Sequence, residues 1–451
     1  MEHTTHEVDA CIVGAGYAGL TAARRLTGAG KTVLVLEARD RVGGRVWTQQ
    51  YDGFRLDFGG TFLGPDQDAV HKLVSELGLE TFPTHYSGEK VMTVDGQARR
   101  YAGLIPKLNP LAVASLGVGM ARLDAMAKKI PLDEPWNDAR ARRWDRMSAG
   151  AWLAAHTHVP MGRHLLGATV RGVMCSDPNE VSLVHMLYLI KSANGLNTLL
   201  STKGGYQQDQ LVQGAQSMAN RIADELGPAL CLQAPARSIS QDDAGVRVEA
   251  DGVSVRASRV VVAIPPSLAA ALLYDPPLPT DKAQLLDRLP AGSVMKALAV
   301  FDDAFWRADG LAGETVGGDS PIEMTLDGSP PSGRPGVIMG FAFGPMARQL
   351  GRLDPDERRR TVLAEYARRF GPRANSPVDY FDHEWADEEW SRGGMMARWA
   401  PGVLSQFGHV LRTPVGRIHW AGTETATVSH GTIDGAIRSG ERAALEVVET
   451  S

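Results

Sequence analysis

Cysteine is scarce. Three occur in 451 residues, Cys11, Cys175 and Cys231. They are far apart and form no C-x-x-C spacing, so no disulfide framework is expected, and a reducing compartment fits. Cys11 stands inside an apolar run, where buried packing is its default role. Long hydrophobic stretches are missing as well: the longest, Leu111 to Ala121, is far shorter than the roughly 20 apolar residues that span a bilayer. Met1 to Val8 is polar and contains no apolar signal core. The chain closes on a helix-like segment that leaves no room for an anchor, so a soluble, cytoplasmic protein is expected. Nor is one sign of charge in excess. Lys and Arg number 47 against 52 Asp and Glu, a net charge of -5, which argues against a nucleic-acid or anionic-membrane partner. The cluster Arg140, Arg142, Arg143 and Arg146 is interleaved with Asp138 and Asp145 and reads as a solvated helix face.

What is present is an ordinary globular composition, 43% hydrophobic and 22% charged, in a chain too long for one core; two domains are expected. Asp9 to Val13 reads as a buried strand that runs into Gly14-Ala15-Gly16-Tyr17-Ala18-Gly19. A helix follows and stops at Gly28 and Gly30. A second β-rich run, Thr32 to Leu36, then ends in Glu37. Gly14 permits the tight turn, Gly16 lets backbone approach a pyrophosphate, and Gly19 lets helix and strand pack closely. The helix N-terminus offers free N–H groups and partial positive charge to phosphates. Glu37 lies at the interval for a ribose hydroxyl and disfavours a 2′-phosphate, which argues against NADP. FAD and NAD both remain open on these residues. Far downstream, Arg417 to Ala421 reads as a strand leading into Gly422-Thr423-Glu424-Thr425-Ala426. Ile433, Ala436, Ile437, Ala443, Ala444 and Val447 then recur at helical spacing. That order repeats the anion-binding arrangement of the first motif. No nucleophile triad or metal-ligand cluster is visible, and no metal is expected.

Two further segments distinguish the cofactors. Arg39-Asp40-Arg41-Val42-Gly43-Gly44-Arg45 follows the ribose acid, and Leu56-Asp57-Phe58-Gly59-Gly60 comes soon after. Together they resemble the extended FAD signature of the amine oxidase superfamily. Gly416 to Ala444 resembles the C-terminal FAD motif of the flavin monoamine oxidase family. The resemblance is nearly full length, with matches at Gly59 to Pro65, Asp275 to Pro279, Gly292 to Lys296, Phe305-Trp306, Thr325 to Asp327, Glu389 to Ser391 and Gly393-Gly394. It implies an α/β fold. A Rossmann-like FAD-binding domain would be assembled from residues 1–85, 205–290 and 376–451, with an α+β substrate-binding domain from 86–204 and 291–375. It further implies cofactor contacts at Arg39, Gly43, Gly44, Arg45, Gly59, Gly60, Thr61, Ala236, Trp390 and Gly422. Glu424 is expected against the ribityl chain, and the backbone near Ile433 against the isoalloxazine. Lys296 matches the lysine that holds a water at flavin N5, where a cation stabilises superoxide. The implied activity is FAD-dependent oxidation of an amine to an imine, hydrolysed to an aldehyde or ketone, with O2 reduced to hydrogen peroxide. A homodimer is the family expectation.

The sequence departs from the family pattern at the flavin. Met395 stands where a cysteine bonds the flavin in the mammalian enzymes, so non-covalent FAD is expected. Met396 and Thr432 stand where two tyrosines form an aromatic cage. Trp399 is either a replacement wall or a core tryptophan. Gln207 matches a pocket glutamine, with Tyr206 as the neighbouring register. Glu323 is either an exposed loop carboxylate or a group at the cavity mouth for a second, cationic amine. Two rivals on the same fold are an L-amino-acid oxidase and a quinone-linked flavin dehydrogenase. The first lacks its carboxylate-binding arginine at Gly60-Thr61-Phe62, leaving Arg398 as the substitute. A third is a non-catalytic binding protein similar to the GDP-dissociation inhibitors. Primary, secondary and cyclic amines and diamines are not separated by the sequence.

Overall fold

The apolar run before the first glycine motif forms the strand Thr4–Val13, fully buried from Ala10 onward. In the computed structural model, which describes residues 4–94, 96–103, 109–318 and 320–450, it lies at the centre of an eight-stranded sheet. Met1–His3 of the polar start lie outside the described residues. Val33–Leu36 and Val253–Val262 flank the strand in parallel, and Ile418–Trp420 joins beyond them, also parallel. Valine, isoleucine and leucine dominate these strands because both faces are covered. Val13 is in register with Leu36 and Val262, and Val262 with Trp420. Four carboxyl ends therefore reach one level, the edge at which open parallel sheets bind ligands.

One face of that sheet is covered by the helices Tyr17–Gly28 and Ile433–Glu449, whose Leu20, Ala23, Ile437 and Ala443 share a core with Ile12. The two helices come very close at Gly440, where an added Cβ would sit 2.2 Å from the Ala18 carbonyl.

A seven-stranded sheet forms the second layer. Its strand Val294–Phe301 is buried at every residue because alternate side chains enter different cores. Met295, Ala297, Ala299 and Phe301 pack with Trp306 and Tyr366, whereas Leu298 and Val300 pack with Leu56 and Phe58. Lys296 has the parity of the latter pair and faces the first sheet's side. The strand Asp379–Glu384 pairs with Val294–Phe301, so the domain border expected at residue 376 is displaced: by pairing, this strand belongs to the second sheet. The apolar run at Leu111 lies in the helix Pro110–Ala127. Among the described residues no helix is long and apolar enough to cross a membrane.

Candidate active site

The glycines at the sheet edge are required by close approach. Gly14 has φ +103°, and a Cβ there would meet Ile264 at 2.7 Å. At Gly19 it would stand 1.9 Å from the Gly14 carbonyl. The second glycine turn is laid across the first: Gly43 N–H donates to the Ala15 carbonyl at 2.9 Å. A Cβ on Gly44 would lie 3.2 Å from Gly16 Cα. Glu37 is buried and accepts from the backbone N–H groups of Ala15 (2.7 Å) and Arg39 (2.9 Å). Gly16 caps the helix without a side chain, which leaves the first N–H groups free of a side-chain acceptor. A side-chain-free cradle, a helix N-terminus and a buried carboxylate at the ends of parallel strands fit an adenine dinucleotide.

The crevice is closed from the far end of the sequence. Arg45 pairs with Glu424 at 2.6 Å and donates to the Met395 carbonyl at 2.8 Å. Burial works to raise the Glu424 carboxyl, but Arg45 and the Ala397 N–H hold it below the ordinary range. Arg39 reaches Glu388 at 2.9 Å and Ser391 at 2.8 Å, and so ties down the Trp390 segment.

From this crevice a cavity of about 650 Å³ runs into the second layer. It brings together Gly14, Gly16, Glu37, Arg39, Gly43, Gly44, Arg45, Gly59, Gly60, Thr61, Ala236, Trp390, Gly422 and Ile433 with Lys296, Met395, Met396, Thr432 and Gln207. Gly19 and Glu424 do not line it. Gly19 acts through the turn behind it. Glu424 holds Arg45 and the Ala397 N–H behind the lining.

Lys296 is 2% exposed and donates to Thr61 Oγ1 (2.7 Å) and the Gly59 carbonyl (3.1 Å). Burial pulls its ammonium down to about 7. Thr432 caps the C-terminal helix: its hydroxyl accepts from Gly435 N–H at 3.1 Å and donates to the Ser429 carbonyl at 2.7 Å. Met396 fills the space over Gly431, where a Cβ would meet its sulfur at 2.5 Å. Gln207 donates to the Leu199 carbonyl at 3.0 Å, and its buried Oε1 has no partner among the described residues. Tyr206 also lines the cavity and points its hydroxyl at Ser429 Oγ, 3.3 Å away.

Three positions left open by the sequence are decided by their surroundings. Trp399 is not a cavity wall; it stacks on His185 with ring centroids 4.7 Å apart, inside a helical core. Arg398 does not reach the cavity, since its backbone N–H donates to the Pro290 carbonyl and its guanidinium lies beside Glu180. Glu323 is no exposed loop residue: it is 5% exposed, lines the cavity and pairs with Arg171 at 2.7 Å. Lys90 and Glu314, also in the lining, went unforeseen. They meet because Leu311–Gly317 pairs in parallel with Glu89–Val94, a contact with no local sequence signal.

A family model described as flavin containing amine oxidoreductase matches residues 17–448. A Mycobacterium tuberculosis protein, AofH, described as a flavin-containing monoamine oxidase, is 43% identical over 98% of this chain and 96% of its own. Flavin-containing amine oxidase B of Canis lupus familiaris is 37% identical, covering 98% and 86%. Putrescine oxidase bound to putrescine superposes with a TM-score of 0.95 at 35% identity, covering 99% of this chain and 100% of that one. Cyclohexylamine oxidase from Brevibacterium oxydans IH-35A gives 0.94 at 33%, covering 98% and 99%.

Proposed function

The chain belongs to the family of flavin-containing amine oxidoreductases, and on that premise we propose how its residues divide the work of amine oxidation. The enzyme is an FAD-dependent amine oxidase acting on small-molecule amines. FAD bound here would supply the acceptor for a hydride equivalent from the amine α-carbon and the route for the electron pair to O2, the overall products being an imine and hydrogen peroxide. The residues of the chain bind, orient and screen. Gly14, Gly16, Gly43 and Gly44 admit the pyrophosphate, and Glu37 takes the ribose hydroxyls. Arg45, held by Glu424, closes the cradle. Lys296, fixed by Thr61 and Gly59, presents a proton-bearing nitrogen where reduced oxygen acquires charge.

The amine lies between Met396 and Thr432, two small or flexible groups in place of a rigid aromatic pair, with the free Gln207 Oε1 accepting one of its N–H groups. The observation that carries this division is one cavity joining the glycine cradle to Lys296 and an apolar arm. Arg398 lies outside it, beside Glu180, and so offers no anchor there for a substrate carboxylate. At Met395 a thioether has no proton to lose and forms no thiolate, so we take the FAD to be held without a covalent bond.

Purified protein tests these points together. The expected outcome is a flavin spectrum, FAD released into the supernatant by acid precipitation, and peroxide from an amine but not from its α-carboxylated analogue. Flavin retained in the pellet overturns non-covalent binding. Peroxide from the amino acid alone overturns the substrate reading, and turnover with a quinone but not O2 overturns the role of Lys296.

A further inference from the structure

The arm of the cavity lined by Leu116, Leu165, Val173 and Val316 carries two carboxylates, Glu314 and Glu323. Both are nearly inaccessible to water, at 8% and 5% exposure. Each has both oxygens engaged. Glu323 accepts from Arg171 Nε at 2.7 Å and from Phe343 N–H at 3.1 Å. Glu314 accepts from Lys90 and from Thr202 Oγ1, the latter at 2.9 Å. Arg171 is held in turn by the Gly318 carbonyl at 3.0 Å, so the pair is fixed at both ends.

A cation entering this arm would shed water without gaining a free carboxylate, because Arg171 from behind the lining and Lys90 within it already hold Glu323 and Glu314. An alkyl or aryl group entering it would bury apolar surface against apolar walls. We propose that the Arg171–Glu323 pair sets the substrate class: amines with one nitrogen and an apolar body, against α,ω-diamines of the same length. The inference rests on the proposed site, with the reacting amine beside Met396 and Thr432, and concerns the other end of the substrate.

The test is the ratio of kcat/KM for an α,ω-diamine to that for the n-alkylamine of equal chain length, read by peroxide release. The wild-type enzyme is expected to favour the monoamine. Arg171→Met frees the Glu323 carboxylate and is expected to raise the ratio about tenfold or more, the scale of one desolvated charge pair. Arg171→Met with Glu323→Gln is expected to return it, and Arg171→Lys to keep the wild-type preference. A wild-type enzyme that favours the diamine overturns the inference, as does an Arg171→Met protein with full flavin content and an unmoved ratio. If Arg171→Met does not retain flavin, the wild-type ratio decides alone. Peroxide from neither amine would overturn the proposed site and this inference with it; a diamine preference sinks the inference and leaves the site standing.

Discussion

Lys296 is the residue whose protonation the fold has moved furthest toward neutral pH at the proposed reaction centre. Its ammonium, drawn down to about 7 by burial, is charged below that pH and neutral above it. If its positive charge assists oxygen, the rate of reoxidation of reduced enzyme should fall as pH rises through about 7. Lys296→Met should be slower by roughly 100- to 1,000-fold, the range seen when one electrostatic donor is removed, and should lose that pH dependence. Stopped-flow mixing of reduced enzyme with oxygenated buffer measures this apart from amine protonation. A wild-type profile flat across pH 7 would remove the lysine from the oxygen step. The sign for stability runs the other way. The unfolded chain holds this proton up to about 10.5, so the group's contribution improves as pH rises from about 7 toward that value. Lys296 was legible only through its neighbours Gly292 to Met295, because one lysine carries no address of its own. Glu323 and Trp399 stayed between two readings for the same reason: what surrounds each is decided by partners distant in sequence, Arg171 and His185. Asp145, read as part of a solvated face, is likewise buried and accepts from Ser182 and Ser405.

The glycine-bearing helix Tyr17–Gly28 makes a sharp prediction for a whole element. At Gly19 an added methyl would stand 1.9 Å from the Gly14 carbonyl, whereas at Gly28 it would meet nothing within 4 Å. Gly19→Ala must push the helix off the turn, at a cost of about 1–3 kcal/mol or more, and should purify with little flavin. Gly28→Ala should melt at or slightly above the wild-type temperature, since alanine favours helix by up to about 1 kcal/mol. Thermal melts and the flavin-to-protein absorbance ratio decide both; equal behaviour of the two variants would show that the turn does not depend on that contact. This element was readable from sequence because its logic is local: strand, turn, helix and acid follow one another within the span from Thr4 to Glu37. The strand Asp379–Glu384 was not, since its place in the second sheet depends on pairing with Val294–Phe301, and pairing partners leave no mark in a strand's own residues.

At the scale of the molecule, the cradle formed near the start of the sequence is fastened by a group near its end. The Arg45–Glu424 pair, with Glu424 buried and Arg45 partly solvated, spans 379 residues. Glu424→Ala leaves Arg45 and the Ala397 N–H without their acceptor, which should cost on the order of 3 kcal/mol. It should also shrink the rise in melting temperature on adding FAD, because a ligand stabilises only as far as it binds the folded state. Melts with and without excess FAD read the effect, and an undiminished rise would mean that the pair only staples the backbone. The same span has a consequence for biosynthesis. A nascent chain can lay down the sheet edge and the first glycine turn early, as N-terminal segments do when they fold during synthesis. It cannot fasten them until 379 further residues have emerged. Flavin loading should therefore be an event of the nearly completed polypeptide, and chains whose translation stalls before Glu424 are expected to expose the open cradle to proteases and chaperones rather than to give a partly active enzyme.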